Sequence, residues 1–300
     1  MRGRGRYCGP MSRPSHTAGF PPSLVQAVLA SVAGRPGMGM RVLGISGLQG
    51  SGKSTLAAQI VQAAGEAGLS AASLSLDDFY LPRARRLQLA ARVHPLLATR
   101  GPPGTHDLRL ALDTIDALRA GGTPPLPRFD KLADDRLPQE RWSRPVRPLD
   151  LLVFEGWCVG APAEDAAALA GPVNPLEAGE DPDGTWRRYC NTALARDYPA
   201  LWARLDQLWF LQPPDFGTVY EWRWQQEQAL QAASPGRRGM DRAGLQRFVQ
   251  HYERVSRQAL RTLPGLADRV VVLDGARRAS LAPGSTSRDR QDKPGDLGFV

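Results

Sequence analysis

Short apolar runs alternate along this chain with stretches in which apolar residues recur every three to four positions. The apolar runs predict strands at about 41–46, 71–76, 149–154, 205–211 and 269–273. The amphipathic stretches predict helices at about 23–32, 53–67, 107–120, 219–233 and 242–263. This alternation is typical of an α/β fold. We therefore expect a doubly wound, mostly parallel five-stranded sheet with its ligand at the carboxyl ends of the strands.

The predicted elements define one domain at 23–275, which contains a long polar insertion at 81–148. Long connections inside a compact domain are usually functional, so we expect the insertion to form one wall of the ligand site. Residues 1–22 are rich in Arg, Gly, Pro and Ser, and residues 276–300 are polar. We expect these two segments to be a disordered basic extension and a disordered tail.

Composition narrows the class of protein. The hydrophobic fraction of 42% supports a substantial core, and no apolar run is long enough to span a membrane. The formal net charge of +8 comes largely from arginines that precede Glu66, the first acidic residue. The rest of the chain is only slightly basic, which disfavours a nucleic-acid-binding function. The three cysteines are widely spaced without a CxxC pair, and we expect reduced thiols in a cytoplasmic protein.

The segment 47–54, GLQGSGKS, is a complete phosphate-binding loop between a predicted strand and a predicted helix. In such a loop glycines let backbone N–H groups turn towards phosphates, the helix N-terminus adds a favourable dipole, and the lysine reaches the outer phosphates. The hydroxyl of Ser54 is placed to contact Mg²⁺. The residues of the predicted nucleotide site are Gly47, Gln49, Gly50, Ser51, Gly52, Lys53, Ser54 and Thr55.

Lysine is rare in this chain, with only three lysines among 38 basic residues. An ammonium group and a guanidinium group are not interchangeable at a phosphate or substrate site. Lys53 lies in the phosphate-binding loop, and Lys131 follows Arg128-Phe-Asp. We therefore expect Lys131 to be functional, with a plain surface lysine as the alternative.

Acidic side chains follow two of the predicted strands. Asp77 and Asp78 end the second strand, and we assign to Asp77 the role of a catalytic base, with a solvated turn as the alternative. Glu155 ends the buried third strand, where Mg²⁺ or a structural salt bridge would compensate its charge. Arg223 is either a lid arginine over a transferred phosphate or the partner of Glu227 in a surface ion pair.

Six segments, in this order, resemble the D-glycerate 3-kinase family of the plant and fungal type and its bacterial relatives. They are GLQGSGKST, SLDDFYL, RGPPGTHDLRL, RFDK, LLVFEGW and VYEWRWQQE. The resemblance covers roughly residues 24–274 and extends to uridine kinase, pantothenate kinase and phosphoribulokinase. It implies the P-loop NTPase fold of the kinase type with a helical lid.

By this resemblance Lys53 and Ser54 serve ATP and Mg²⁺, Asp77 acts as the base, and Glu155 helps to hold the metal ion. The insertion then forms the acceptor side. The residues assigned there are Asp78, Tyr80, His106, Asp107, Lys131 and Arg136. For His106 a structural hydrogen-bonding role is the alternative.

The leading hypothesis is an ATP- and Mg²⁺-dependent kinase that phosphorylates a small hydroxy acid, D-glycerate, to 3-phosphoglycerate. A kinase for uridine, pantothenate, a sugar phosphate or another small alcohol is one alternative. A P-loop ATPase or regulator without metabolite kinase activity is the other. The carboxylates at 77–78 disfavour the regulator, because a switch protein needs no base at that strand end.

Overall fold

The computed structural model describes residues 19–32, 39–233 and 239–282. The helices of these ranges are α1 (Pro22–Val32), α2 (Lys53–Glu66), α3 (Arg83–Arg92), α4 (Leu108–Arg119), α5 (Pro175–Glu180), α6 (Thr185–Arg196), α7 (Pro199–Trp202), α8 (Gly217–Ala233) and α9 (Arg242–Leu266). The strands are β1 (Arg41–Gly47), β2 (Ala71–Ser75), β3 (Phe129–Asp130), β4 (Asp135–Arg136), β5 (Leu151–Gly156), β6 (Gln207–Gln212), β7 (Arg269–Leu273) and β8 (Ala279–Leu281).

The central sheet has the order β2-β5-β1-β6-β7-β8. Its first five strands are parallel and are the five predicted from the sequence, which confirms the predicted mostly parallel α/β fold. The sixth strand, β8, pairs antiparallel with β7 at the edge. Three residues are too few for a hydrophobic period, so β8 left no detectable sequence signal.

Alternating side chains of the strands enter two cores, one on each face of the sheet. On β5, Leu151 and Val153 pack with α1 and α2, whereas Leu152 and Phe154 face the core that contains α4 and α9. On β1, β5 and β6, burial on both faces explains why the strands read as apolar runs instead of alternating ones. The sheet is therefore covered by helices on both sides.

Strand order places the predicted functional segments side by side. β5 lies between β1 and β2, with Glu155 level with Ile45 on one neighbour and with Ser75 on the other. The phosphate-binding loop leaves β1 and Asp77 follows β2, so both emerge beside Glu155. In open parallel sheets ligands bind at this carboxyl edge, where the strand order reverses.

Several helices were not predicted, notably α3 and α5–α7. In α3 the buried positions are Arg86, at 0% exposure, and Leu89, so hydrophobic periodicity does not reveal this helix; in α6 Arg187, at 3% exposure, is buried next to apolar side chains. Arg187 is compensated by Asp181, whose Oδ2 lies 3.1 Å from its Nη1. Buried ion pairs thus replace apolar contacts in this part of the protein.

Both predicted domain boundaries need correction where the structure describes them. Phe20, placed in the basic extension, is buried, and its main-chain N–H donates to Gln59 Oε1 at 2.9 Å. The predicted tail began at 276, but β8 belongs to the sheet. The predictions for 1–18 and 283–300 lie outside the described residues. In 19–32, 39–233 and 239–282, no helix is both long and apolar enough to cross a membrane.

Candidate active site

A cleft of about 230 Å³ opens at the carboxyl ends of β1, β2 and β5. Its walls combine the phosphate-binding loop, the residues after β2 and β5, the hairpin of β3 and β4, and helices α8 and α9. The residues that line it are Gln49, Gly50, Gly52, Lys53, Ser54, Thr55, Asp77, Tyr80, Arg100, Lys131, Glu155, Trp157, Arg223, Gln226, Phe248 and Tyr252. Four cations and two carboxylates give the cleft a net positive charge, which suits an anionic ligand.

The phosphate-binding loop has its predicted form. Gly50 and Gly52 adopt left-handed backbone conformations, with φ of 84° and 89°. Lys53 begins α2, is only 8% exposed, and donates from Nζ to the carbonyl oxygen of Leu48 at 3.1 Å. Burial lowers the pKa of the Lys53 ammonium group, and Glu155 partly opposes this effect. Of the predicted nucleotide residues, Gly47 and Ser51 do not line the cleft.

Ser54 and Glu155 meet on the floor of the cleft. The hydroxyl of Ser54 donates to Glu155 Oε1 at 2.7 Å. Burial raises the pKa of Glu155, while Lys53 lowers it, so the carboxylate is stabilised mainly by its cationic neighbour. No group of three or more His, Cys, Asp or Glu side chains in the described part of the chain forms a metal site by itself.

Two hydrogen-bond donors hold the Asp77 carboxylate. Tyr80 donates its hydroxyl to Oδ1 at 2.6 Å, and Lys131 donates from Nζ to Oδ2 at 2.7 Å. Burial raises the pKa of Asp77, but Lys131 and these hydrogen bonds outweigh it and hold that pKa well below its usual value. The Asp77 carboxylate in turn raises the pKa of Lys131. Asp77 is therefore an ionised, oriented carboxylate in the cleft.

Asp78 faces away from the cleft. Its Oδ2 accepts from the N–H of Ser75 at 3.1 Å in a capping box and pairs with Arg128 Nη1 at 2.8 Å. Asp78 was predicted to contact the substrate, but the structure places its carboxylate outside the cleft. Neighbouring residues in the short helical turn at 76–79 point in different directions, so only Asp77 enters the cleft.

His106, Asp107 and Arg136 form a layer behind the cleft, where the sequence analysis had placed them in the acceptor pocket itself. Asp107 caps α4 and pairs with Arg136, whose Nη2 lies 3.0 Å from Asp107 Oδ2 and 2.9 Å from the carbonyl of Tyr80. The His106 ring packs 4.9 Å from the ring of Tyr80. These residues support Tyr80 and do not line the cleft.

We expect His106 to make stability pH-dependent. Its Nδ1 lies 2.6 Å from the hydroxyl of Tyr198, and burial lowers its pKa to about 4. The unfolded chain binds this proton below about pH 6.5, so the free energy of unfolding should fall as pH decreases from about 6.5 to 4. Because burial also lowers the pKa of His251 to about 4, His106→Gln should remove about half of this slope in thermal unfolding. An unchanged pH dependence of unfolding in His106→Gln would contradict this role of His106.

Arg223 lies in the cleft and not in the ion pair with Glu227 that was its alternative. Its Nη1 donates to Gln226 Oε1 at 2.8 Å, and its guanidinium lies 6.0 Å from the centre of the Phe248 ring. Glu227 is buried and accepts instead from the N–H of Met240. The Nε of Arg223 and the side-chain amide of Gln49 have no hydrogen-bond partner among the described residues.

Arg100 is a cleft residue to which the sequence analysis gave no role. Its Nη1 pairs with Asp134 Oδ1, and its guanidinium lies 5.6 Å from the centre of the Phe129 ring. Asp134 is in turn held by the fully buried Arg86, which donates to its carbonyl oxygen at 2.7 Å. Arg100 begins the RGPPG segment, so the signal was present but was used only for the resemblance.

The loop after Arg100 is shaped by Tyr252. Gly101 has φ of 112°, and a Cβ there would lie 2.4 Å from the Tyr252 hydroxyl oxygen. That hydroxyl donates to the carbonyl oxygen of Arg100 at 2.8 Å. Tyr252, Gln226 and Phe248 on the helices and Trp157 after β5 were not predicted either, because aromatic and amide residues are usually packing residues.

Known proteins are similar to this chain in sequence. The chain is 34% identical over 220 residues to a protein of Schizosaccharomyces pombe named "Uncharacterized kinase mug58", across 70% of this chain and 78% of that protein. It is 30% identical over 224 residues to the chloroplastic D-glycerate 3-kinase of Arabidopsis thaliana, across 70% of this chain but only 46% of that protein. The chain belongs to the same family of P-loop kinases as the Schizosaccharomyces pombe protein. The predicted resemblance is thereby confirmed.

A solved structure, D-glycerate 3-kinase from Cryptococcus neoformans, shares the fold. The TM-score is 0.69 at 24% identity, with 87% of this chain and 96% of that chain covered. No model of a protein family matches the chain. As a member of this kinase family, the protein is an ATP-dependent phosphotransferase that acts on a small molecule. The Arabidopsis relative is chloroplastic by its name, and a cytoplasmic location for this family member stays a prediction.

Proposed function

We propose that this kinase transfers the γ-phosphoryl group of ATP to the primary hydroxyl of D-glycerate, which gives 3-phosphoglycerate. The observation that carries the proposal is the position of Asp77 between Tyr80 and Lys131, with Arg100 lining the same cleft. A hydroxy acid needs an acceptor for its hydroxyl proton and cations for its carboxylate, and this side of the cleft contains both. The name of the Arabidopsis relative supports the same acceptor.

The nucleotide occupies the other half of the cleft in this proposal. Lys53, the N–H groups at the start of α2 and the unpartnered Arg223 Nε are donors for the phosphates. Transfer through a loose, metaphosphate-like transition state leaves little covalent work for the protein, so positioning and charge stabilisation dominate. Arg223, on α8, would then stabilise the charge on the transferred group.

The residues present fit a magnesium ion. The Ser54 hydroxyl and the Glu155 carboxylate are oxygen donors that already converge at 2.7 Å, and Glu155 is 6% exposed. Mg²⁺ in kinases takes few protein ligands and completes its coordination with phosphate oxygens and water. When bound, the ion would neutralise charge on the β- and γ-phosphates.

Asp77 would orient the acceptor hydroxyl and receive its proton. Its lowered pKa makes it a weak base, but the attacking oxygen loses its proton late in a loose transition state, so a weak base suffices. A carboxylate has about four lone-pair sites, so Tyr80 and Lys131 leave room for the hydroxyl. Lys131 would hold the glycerate carboxylate together with Arg100.

A screen of ATP consumption tests the proposal. The acceptors are D-glycerate, L-glycerate, glycerol, pantothenate, uridine and ribulose 5-phosphate, each at saturating ATP and Mg²⁺. We expect D-glycerate to have the highest kcat/KM. Faster turnover of uridine, pantothenate or ribulose 5-phosphate would replace the acceptor in the proposal, and ATP hydrolysis independent of every acceptor would refute it.

Replacing Arg100 should weaken recognition of the carboxylate. We expect Arg100→Met to lower kcat/KM for D-glycerate about 10–100-fold, the loss for one charge-assisted hydrogen bond, mainly through KM. The KM for ATP should change little. Arg109→Met is the matched control, because Arg109 is 85% exposed and pairs only locally with Asp113. Equal effects of the two substitutions would remove Arg100 from the acceptor site.

A further inference from the structure

The loop between β7 and β8 contains a strained residue. Arg277 has φ of 62°, a left-handed conformation that is uncommon for residues other than glycine. The loop is closed locally by Asp274, whose Oδ1 accepts from the N–H groups of Ala276 and Arg278 at 2.9 and 2.8 Å. Such strain persists only where surrounding contacts hold it, and it is often found at functional sites. We therefore expect contacts of the Arg277 side chain to hold this backbone conformation.

Those contacts reach the phosphate-binding loop. Arg277 Nε donates to the carbonyl oxygen of Gly50 at 2.9 Å. Its Nη2 donates to Gln225 Oε1 at 2.9 Å and to the carbonyl oxygen of Trp222 at 3.4 Å, both on α8. The guanidinium lies 5.1 Å from the centre of the Trp222 ring, and Trp222 Nε1 donates to the carbonyl oxygen of Gly275 at 3.0 Å.

A rigid peptide transmits this contact further. The peptide unit that joins Gly50 to Ser51 is planar, so a hydrogen bond that orients its carbonyl also orients its N–H. That N–H donates to the carbonyl oxygen of Leu48 at 3.2 Å. The same oxygen accepts from Lys53 Nζ. Arg277 thus acts on the turn of the loop and, through Leu48, on the place where Lys53 is held.

Helix α8 packs directly against the same turn. A Cβ at Gly50 would lie 2.6 Å from the Cβ of Trp222, so the loop and the helix touch without space for a side chain. Arg223, the next residue of α8, lines the cleft. Arg277 itself is not among the residues that line it.

We propose that Arg277 is a positioning residue that fastens the phosphate-binding loop to α8, so that the β7–β8 hairpin belongs to the nucleotide site. Arg277 touches no ligand in this arrangement. It keeps the peptide at Gly50 in the orientation that binds polyphosphate and keeps Arg223 in register with Lys53. The part that holds the phosphates therefore extends into the segment that sequence analysis assigned to a tail.

The test compares Arg277→Gly with wild type. Glycine tolerates the left-handed backbone, so this substitution removes the side chain without adding strain. Arg278→Ala is the matched control, since Arg278 is a neighbouring arginine whose side chain is 85% exposed and pairs only with Asp274. Calorimetric titration with inorganic tripolyphosphate and with ATP, both with Mg²⁺, measures the dissociation constants.

We expect Arg277→Gly to weaken both ligands by about tenfold, the effect of one charge-assisted hydrogen bond, with Arg278→Ala unchanged. Weakened ATP with unchanged tripolyphosphate would mean that Arg277 contacts the base, which would overturn the proposal. Unchanged affinity for both ligands would overturn it equally. Circular dichroism at the assay temperature establishes folding. If Arg277→Gly does not fold, Arg277→Lys is used instead. Because lysine keeps a donor, it should weaken both ligands, but by less than about tenfold.

Discussion

Asp77→Asn should reduce kcat by about 10²–10⁴-fold, the usual loss when a general base is removed. Asparagine keeps the size of the side chain and an oxygen for the Tyr80 hydroxyl, but it removes the charge that faces Lys131 at 2.7 Å. An acceptor hydroxyl would then find a weak amide acceptor and no base. Affinity for ATP should be retained, because Asp77 lies on the acceptor side of the cleft. Single-turnover phosphoryl transfer and a separate ATP titration measure the two effects.

The adjacent carboxylate provides the discriminating comparison. Asp78→Asn changes the same chemical group one residue away, but Asp78 caps the turn at 76–79 and pairs with Arg128 outside the cleft. Its substitution should lower the midpoint of thermal unfolding more than it lowers kcat. If Asp78→Asn abolishes turnover while Asp77→Asn is active, the two roles are exchanged and the proposed base is wrong.

Lys53→Arg should lower kcat/KM for ATP by at least about 10²-fold, as for loss of one preorganised donor at a transition-state charge. This chain uses arginine for most positive charges, so the substitution tests whether Lys53 needs the shape of an ammonium group. The side chain is 8% exposed and donates from Nζ to the Leu48 carbonyl oxygen, and a guanidinium is planar and larger than the ammonium group that it would replace there. Steady-state kinetics and an ATP titration measure the loss.

Lys293→Arg is the control for this substitution, since Lys293 lies outside the described residues and in no predicted site. It should leave kinetics and ATP affinity unchanged. Full activity of Lys53→Arg would show that any cation suffices in the loop, and that the rarity of lysine carries no information about this position. Lys53→Met separates charge from shape and should be at least as impaired as Lys53→Arg.

The elements predicted well are those whose buried residues form a recognisable apolar pattern in the sequence. The parallel strands β1, β5, β6 and β7 were found because each places buried side chains in both cores and reads as an apolar run. Helix α3 was missed because a buried position is taken by Arg86, which is neutralised by carbonyl groups and by the carboxylate of Asp134. Asp134 lies 48 residues from Arg86, so a local sequence pattern does not contain this compensation.

The residues of the site also divide into those that a local sequence pattern predicted and those that it misplaced or missed. The sequence predicted the phosphate-binding loop, Asp77 and Glu155 from their positions at strand ends and Lys131 from the rarity of lysine, and the structure brings these residues to one cleft. Side-chain direction was not available, so Asp78, His106, Asp107 and Arg136 were assigned to the acceptor pocket and lie behind it instead. Arg100 was missed because its partners, Asp134 and Arg86, make it a cleft residue only in the folded chain.

By itself, the sequence determined an α/β fold with a phosphate-binding loop after its first strand, because the strands read as apolar runs and the loop motif is contiguous, and the six segments shared with a kinase family indicated a kinase. The tertiary structure alone decided which acidic and basic side chains face one another in the cleft. It also joined the β7–β8 loop to Gly50, 227 residues away in the chain. Long-range contacts of this kind arise from packing of the whole sheet, and no local sequence signal encodes them.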